Sequence, residues 1–279
     1  MALVPLALLS GCSRELWEVG FLPPESKGLT SHTDEYIALW NGGWIAAFAI
    51  GILVWLLILF CVIRFRRRRH ERGLPVQLAY HMPIEILYTV VPVILVVGFF
   101  FVNVKTIDEV IYDSTEAEEV IEVVGKQWSW DFNYVTHNVH YAGVQVNLDG
   151  TEEPGRSAPT LYLPADTPLE IRLRSRDVIH SFWVPAFLEK RDMFPGRTEK
   201  LHLTALKEGT YVGKCAELCG EYHSEMLFNV KVVSPAEFQQ EMNELSDAGK
   251  TGLLGPEYDR TEWYQNPYKE DDTEEEVAK

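Results

Sequence analysis

Basic residues are scarce in this sequence, and long apolar runs are absent from most of its length. The chain has 25 Lys and Arg against 41 Asp and Glu, which gives a net charge of −16. Because an acidic surface repels nucleic acid and attracts basic proteins, we expect no nucleic-acid partner. Beyond residue 105 no apolar run is long enough to cross a membrane, so any spanning helix must lie before that point.

Two long apolar runs do lie in the first part of the chain. Residues 44–63 contain no charge, and residues 84–104 are interrupted only by Glu85. A helix of about 20 residues rises roughly 30 Å, which is the thickness of the hydrocarbon core of a bilayer. We therefore predict a transmembrane hairpin over residues 38–105, with residues 44–63 and 84–104 as its two spans.

The loop between the two runs, residues 64–81, predicts the orientation of the hairpin. It has one acid, Glu71, and six arginines: Arg64, Arg66, Arg67, Arg68, Arg69 and Arg72. An isolated arginine run would suggest nucleic-acid binding, but short basic loops between spans stay in the cytoplasm. The chain is then predicted to cross the membrane twice, with the N-terminus and the large C-terminal part outside the cytoplasm.

The first residues resemble the signal of a bacterial lipoprotein. An apolar start leads into Leu9, Ser10 and Gly11, and Cys12 follows at the position that is lipidated after cleavage. We predict a signal peptide over residues 1–11, lipidation of Cys12 and an outer segment over residues 12–37. The alternative is an ordinary N-terminal segment, because the start carries no Lys or Arg and most signal peptides do.

After residue 105 the pattern changes to alternation and β-branched side chains. This favours short strands separated by Gly, Pro and Asp turns, as in a β-sandwich or barrel. The candidate strands are residues 119–124, 128–135, 169–173, 200–203, 210–212 and 226–233. A closing helix is predicted over residues 235–245, with Ser234 as its cap. The domain is thus expected over residues 106–246, followed by an acidic, disordered tail over residues 247–279.

Four side chains that bind soft metals lie within one short segment. Cys215, Cys219, His223 and Met226 offer two thiols, an imidazole and a thioether. This combination selects copper, since zinc accepts Cys and His but not a thioether. The alternative is a disulfide between Cys215 and Cys219, whose small ring would remove little entropy from the unfolded chain.

A second imidazole is expected from His180, which lies in the apolar, strand-like stretch 177–185. A histidine there is costly unless it binds a metal or is hydrogen-bonded. Taken alone, it would be interpreted as a hydrogen-bonded core histidine. Together with the cysteine segment, we interpret it as a further ligand.

These residues resemble subunit II of the haem–copper cytochrome c oxidases. The family pattern C-x-E-x-C-x3-H-x2-M is met at residues 215–226, and H-S-x-x-V-P is met at residues 180–185. The resemblance extends over residues 44–235. It implies a membrane-anchored all-β protein in a bacterial cell membrane, with a cupredoxin-like Greek-key β-sandwich after the two-helix hairpin.

The resemblance also implies a binuclear copper centre, copper A. The thiolates of Cys215 and Cys219 would bridge the two coppers, and the imidazoles of His180 and His223 would each bind one copper. The thioether of Met226 and the backbone carbonyl of Glu217 would complete the cofactor-binding set. The carboxylate of Glu217 would bind a magnesium ion shared with subunit I. An ordinary surface acid is the alternative for that carboxylate.

Two further roles follow from the resemblance alone. Trp128, in the aromatic stretch 125–130, would receive the electron from cytochrome c, although Ser129 stands where the family often has tyrosine. Glu85 would guard the entrance of a proton path into subunit I. An interfacial position would also explain an acid at that end of the second span.

The implied function is electron input to a proton-pumping terminal oxidase. Electrons would come from cytochrome c, either soluble or a haem domain of a neighbouring complex, and would pass to haems in subunit I, where oxygen is reduced to water. Subunit III and the lipid membrane complete the expected partners, and haems are expected only in the partner subunits. The alternatives are a subunit of a nitric oxide reductase and a stand-alone tethered copper protein, while the intact ligand set disfavours a copper-free quinol oxidase subunit.

Overall fold

The computed structural model describes residues 14–67, 70, 73–74, 77–111, 115–146 and 158–259. The chain divides into two compact units, Met1–Pro24 with Glu35–Tyr112, and Glu25–Asp34 with Asp113–Lys279. Each unit is described by itself. The predicted signal peptide and Cys12 lie outside the described residues.

The first unit is helical. Its described helices are α1 (Arg14–Glu18), α2 (Thr33–Arg64, which begins in the second unit) and α3 (Met82–Ile111). The most apolar windows of α2 and α3 have mean hydropathies of 3.0 and 2.4, and no part of either window is buried within the chain. Helices that are apolar all round and exposed need a lipid or protein environment. Both contain the predicted spans and extend past them.

The second unit is a sandwich of two five-stranded sheets. Its strands are β1 (Glu119–Lys126), β2 (Ser129–Tyr134), β3 (Val139–Ala142), β4 (Thr160–Pro164), β5 (Pro168–Ser175), β6 (His180–Val184), β7 (Glu189–Met193), β8 (Glu199–Thr204), β9 (Gly209–Cys215) and β10 (Leu227–Val233). Sheet 1 has the order β3-β2-β1-β5-β8, and sheet 2 the order β4-β10-β9-β6-β7. The β1–β5 and β4–β10 pairs are parallel and the others antiparallel. The cupredoxin-like sandwich expected from the sequence is confirmed.

An aromatic cluster fills the core between the sheets. The Phe228 ring lies 4.8 Å from the Trp130 ring and 5.0 Å from the Phe182 ring, measured between centroids. Complete burial of such side chains stabilises the fold by about 1.5–3 kcal/mol each. Gly213 lies against this cluster, because a Cβ at that position would be 2.2 Å from Phe228. Trp130 Nε1 donates to the carbonyl of Met226 at 3.3 Å, so the core reaches the soft-ligand segment.

The sandwich includes residues before the predicted start at residue 106 and after the predicted end at residue 246. At one edge of sheet 1, Ser31 N donates to Thr204 O at 2.9 Å, so part of the expected outer segment covers β8. At the other edge, Lys250 O accepts from His140 N at 3.0 Å, and Gly252 N donates to Asn138 O at 2.8 Å. The expectation of disorder from residue 247 is therefore wrong for residues 247–259, since residues 250–252 pair with the free backbone of the edge strand β3. Residues 260–279 lie outside the described part.

Helix α4 (Pro235–Asp247) closes the domain as predicted. The Ser234 side chain accepts from Glu237 N at 3.3 Å, which satisfies one of the free amides at the helix start.

Candidate metal centre

The loop between β9 and β10 carries most of the predicted ligands, and sheet 2 holds both of its ends. Cys215 is the last residue of β9, and Met226 directly precedes β10. Cys215 N donates to Met226 O at 3.0 Å, which closes the loop at its base. The two ends are thus fixed by strands rather than by the loop itself.

His180 comes to the same place from the neighbouring strand. It is the first residue of β6, which pairs with β9 so that Phe182 lies opposite Cys215. Ala216 N donates to Ser181 O at 3.1 Å and extends this pairing into the loop. As a result, His180 Nδ1 lies 3.8 Å from Cys215 Sγ.

The remaining donor atoms surround Cys219. Its Sγ lies 3.9 Å from Cys215 Sγ, 3.5 Å from His223 Nδ1 and 3.7 Å from Met226 Sδ. One ligand atom each from His180, Cys215 and Cys219 falls within 4.8 Å of the others. The structure therefore brings together all five side chains that the sequence singled out as copper ligands.

Glu217 contributes its backbone and not its side chain to this cluster. The carbonyl oxygen of Glu217 lies 3.2 Å from Cys215 Sγ, and the residue as a whole is exposed. Its carboxylate is therefore free to face solvent or another chain, in line with the two separate roles expected of this residue.

The donor set fits copper better than the other common metals. His180 and Met226 are fully buried and both cysteines nearly so, while His223 is half-buried. Cys215 and Cys219 are free thiols. Magnesium and calcium prefer oxygen ligands, whereas thiol, thioether and imidazole together suit copper.

Asp177 fixes the orientation of the His180 ring. Its Oδ1 lies 2.8 Å from His180 Nε2, and its Oδ2 accepts from Gln127 N at 2.8 Å. This leaves His180 Nδ1 directed at the thiols, as an outer carboxylate does for a metal-binding imidazole. Gly125 allows the ring to pack against its backbone, because a Cβ there would be 3.0 Å from His180 Cδ2.

The same contacts shift the pKa values of His180 and Asp177. Burial lowers the pKa of His180, but the hydrogen bond to Asp177 and the contact with Cys215 outweigh it, so the pKa is raised. Burial raises the pKa of Asp177, but hydrogen bonds from His180 and Gln127 N outweigh it, so that pKa is lowered.

The two thiols are coupled through their contact. This contact lowers the pKa of Cys215 and raises the pKa of Cys219. Such a pair titrates as a unit. Because metals bind thiolates, a metal that binds both sulfurs requires both thiols to be deprotonated.

Trp128 lies against the backbone of the metal loop. Its Nε1 donates to Cys219 O at 3.2 Å, and Gln127 Nε2 donates to the same carbonyl at 2.9 Å. Gly220 allows this contact, because a Cβ there would be 3.0 Å from Trp128 Cζ2. The edge of the half-buried Trp128 ring meets Tyr222 at a centroid distance of 5.0 Å.

Three supporting residues were missed from the sequence: Asp177, Gln127 and Tyr222. A signal existed for Asp177, which precedes His180 by three residues, and for Tyr222, an aromatic within the ligand segment. The contact of Gln127 depends on how β1 meets the loop, and nothing in the sequence indicates that.

Glu85 belongs to the first unit and lies in the first turn of α3. Its Oε1 accepts from His81 N at 2.7 Å, so the carboxylate satisfies a free amide at the start of the helix. This contact gives the carboxylate a local structural role. The fourth cysteine, Cys61, is exposed on α2.

The chain matches two family models. One is described as cytochrome C oxidase subunit II, transmembrane domain, and matches residues 27–104. The other is described as cytochrome C oxidase subunit II, periplasmic domain, and matches residues 119–233. The first covers most of both long helices, and the second contains every residue of the metal cluster.

Curated relatives match over most of their length. The chain is 41% identical over 278 residues to "Probable cytochrome c oxidase subunit 2" of Streptomyces avermitilis, covering 89% of this chain and 86% of the relative. It is 32% identical over 292 residues to cytochrome c oxidase subunit 2 of Mycobacterium tuberculosis, covering 87% and 79%. Among solved structures, the periplasmic domain of subunit II of cytochrome oxidase (CoxB) of Bradyrhizobium japonicum is 28% identical with a TM-score of 0.44, covering 48% of this chain and 96% of that one.

Proposed function

The chain belongs to the cytochrome c oxidase subunit II family, and from that membership we propose that it is the electron-input subunit of a proton-pumping terminal oxidase in a bacterial cell membrane. It is thereby a subunit of an oxidoreductase complex, and the reduction of oxygen to water is assigned to subunit I. The observation that carries this proposal is the convergence of two thiols, two imidazoles and a thioether at the ends of adjacent strands of sheet 2.

The proposed cofactor is the binuclear copper A centre. Cys215 and Cys219 would hold both metals through their thiolates. His180 and His223 would each bind one copper, and Met226 and the carbonyl of Glu217 would complete the two ligand sets. When bound, the pair supplies a carrier for single electrons. The protein contributes ligands fixed by strands and by Asp177, so that they move little when the charge of the site changes.

Trp128 is proposed as the point where the electron enters. Its indole bonds directly to the carbonyl of the ligand residue Cys219, and its ring is half-buried rather than part of the closed core. The donor is proposed to be a cytochrome c, either soluble or a haem domain of a neighbouring complex. The acidic chain would attract a basic donor of this kind.

The partner subunits are proposed to supply what this chain lacks for the reaction. The exposed carboxylate of Glu217 binds a magnesium ion together with subunit I, since one carboxylate cannot make a magnesium site alone. Subunit I carries the haems, and subunit III is a further partner. Glu85 is proposed as the entrance of the proton path, and Cys12 as a lipidation site that fits an N-terminus outside the cytoplasm.

The proposed function is tested by purifying the chain from membranes in mild detergent and identifying what comes with it. We expect a complex that contains haem-bearing subunits and consumes oxygen when supplied with reduced cytochrome c. Isolation of the copper-loaded chain without haem proteins would favour the stand-alone copper protein instead. Reduction of nitric oxide rather than oxygen would favour the nitric oxide reductase.

A further inference from the structure

The segment after α4 follows sheet 1 and reaches a group of buried charges. We call residues 250–259 the C-terminal strap. Beyond its pairing with β3, Leu254 N donates to Asn133 Oδ1 at 2.9 Å, and Leu254 O accepts from Asn133 Nδ2 at 3.1 Å. The strap is thus tied to β2 as well as β3, although no apolar pattern in its sequence predicts that it is ordered.

Arg176 is enclosed between the strap and the sheet. Its side chain is 4% exposed, and its guanidinium donates to Gly255 O at 3.0 Å, to Leu254 O at 3.2 Å and to Asp259 Oδ1 at 3.3 Å. The ring of Tyr258 lies 5.4 Å from its Cζ atom. The strap therefore holds Arg176 by two carbonyls, one carboxylate and one aromatic ring.

On its other side, Arg176 binds into the sheet. Its Nε donates to Asp131 Oδ2 at 3.1 Å, and Asp131 Oδ1 accepts from Lys126 Nζ at 2.7 Å. Arg174 joins the group through Asp259 Oδ2 at 2.9 Å. A buried charge that lost one of these partners would be strongly destabilising, so the members depend on one another.

The two arginines do not fully compensate for the burial of Asp259. Burial raises the pKa of Asp259, and Arg174 and Arg176 offset that effect only in part. Buried ion pairs commonly have this character, because desolvation cancels much of their attraction.

Arg176 also connects this network to the residues that contact the His180 ring. Arg176 N donates to Gly125 O at 2.9 Å, and Gly125 is the residue against which the ring packs. The next residue after Arg176 is Asp177, which accepts hydrogen bonds from His180 and from the amide of Gln127. A displacement of Arg176 would therefore move Gly125 and Asp177, the two residues that hold the His180 ring. It would also move the backbone that leads to Trp128.

We propose that Tyr258 and Asp259 of the C-terminal strap act through Arg176 as positioning residues for His180 and for the Gln127–Trp128 backbone of the electron-input site. The consequence at the metal rests on the proposed function. The structural link from the strap to the residues around His180 does not depend on the proposed function, and it can be tested separately.

The structural link is tested by amide hydrogen exchange in the purified full complex. Asp259→Asn removes the charge that binds both arginines but keeps the size of the side chain. We expect exchange of the Arg176 and Gln127 amides to become about tenfold faster, because local opening becomes easier. Glu257→Gln is the matched control, since Glu257 is exposed on the same strap and accepts a hydrogen bond from Gly255 N, which also belongs to the strap. Unchanged exchange at Arg176 and Gln127, with faster exchange within the strap itself, would overturn the proposal.

A chain ending at Gly249 removes the strap outright. It covers the case in which Asp259→Asn leaves the strap in place. If this shortened chain folds and its Arg176 and Gln127 amides stay protected, the proposal is wrong. Faster exchange at those two amides supports it.

The consequence at the metal is tested by the reduction potential and the copper EPR spectrum. Arg176→Lys keeps the charge but cannot reach all four acceptors. We expect both Arg176→Lys and Asp259→Asn to shift the potential and the hyperfine splitting without loss of copper, while Glu257→Gln matches the wild type. A shift in Asp259→Asn alone would indicate a charge effect and would contradict positioning. Absence of copper from the wild type would refute the proposed function but leave the exchange result standing.

Discussion

His180 shows how a single residue at this site depends on its neighbours. Its ring is completely buried, oriented by Asp177 and packed against the bare backbone of Gly125. Burial alone would make an unpaired imidazole costly, and the carboxylate removes that cost while directing Nδ1 at the thiols. The sequence predicted that His180 joins the cysteines, but not what holds it there.

Removal of the Asp177 carboxylate should weaken metal binding without removing a ligand. We expect Asp177→Ala to lower copper affinity by about 10- to 100-fold, because the ring loses its fixed orientation. Competition with a copper chelator measures the change. Asp192→Ala, an exposed position on β7, should match the wild type. Equal copper retention in both variants would argue against an orienting role for Asp177.

Substitution of Trp128 should separate electron input from metal binding. We expect Trp128→Phe to slow reduction of the copper centre by cytochrome c while the copper content stays unchanged, because the indole contacts a backbone carbonyl and no metal donor atom. Stopped-flow reduction measures the rate. Trp183→Phe, a half-buried residue on β6, serves as the control. A Trp128→Phe enzyme reduced as fast as wild type would refute the assigned role.

At the scale of the elements, β9 and β10 determine the site. They bring Cys215 and Met226 together at the base of one loop, and the pairing of β9 with β6 adds His180. The aromatic cluster packs against these strands, and Gly213 of β9 leaves no room for a side chain beside Phe228.

A methyl group at Gly213 should therefore damage the support of the site. We expect Gly213→Ala to lower the free energy of unfolding by about 1–3 kcal/mol, because the new Cβ overlaps the Phe228 ring in a packed core. Thermal unfolding of the purified protein measures the loss. Thr210→Ala, an exposed position on the same strand, should have a much smaller effect. Similar unfolding temperatures for both variants would show that the core adapts to the extra methyl group.

Four strands are missing from the predicted set. Three of them, β3, β4 and β7, lie at sheet edges. An edge strand needs little apolar alternation, and β7 has the sequence EKRDM. The fourth, β6, lies within the stretch 177–185 that its sequence marks as strand-like, but the buried polar pair His180 and Ser181 interrupts the alternation and hides its bounds. The six predicted strands all carry apolar side chains into the core, which is why periodicity detected them.

At the scale of the whole molecule, the sequence separated membrane helices from an acidic domain, and the family comparison agrees with both parts. What it did not reveal is how far the domain extends. Residues 29–31 and 250–252 cover opposite edges of sheet 1 by backbone pairing, which depends on free donors and acceptors and not on side-chain type.

The net charge of −16 gives a prediction for the intact complex. If a basic cytochrome c is attracted by this chain, the second-order rate of its reaction should fall as ionic strength rises, because salt screens charges that are more than about 10 Å apart at 0.1 M. The rate is measured across a salt series with the donor held at low concentration. A rate independent of salt would contradict electrostatic attraction of the donor.

The most direct test of the account is the EPR spectrum of the oxidised, purified complex, recorded for the wild type and for Cys219→Ser. We predict that the wild type shows one unpaired electron shared between two equivalent copper nuclei, because the thiolates of Cys215 and Cys219 would bridge the two metals of the proposed centre. In Cys219→Ser that pattern should be lost, since one bridge is removed. A wild-type spectrum with the hyperfine pattern of a single copper nucleus at this site would contradict the binuclear centre.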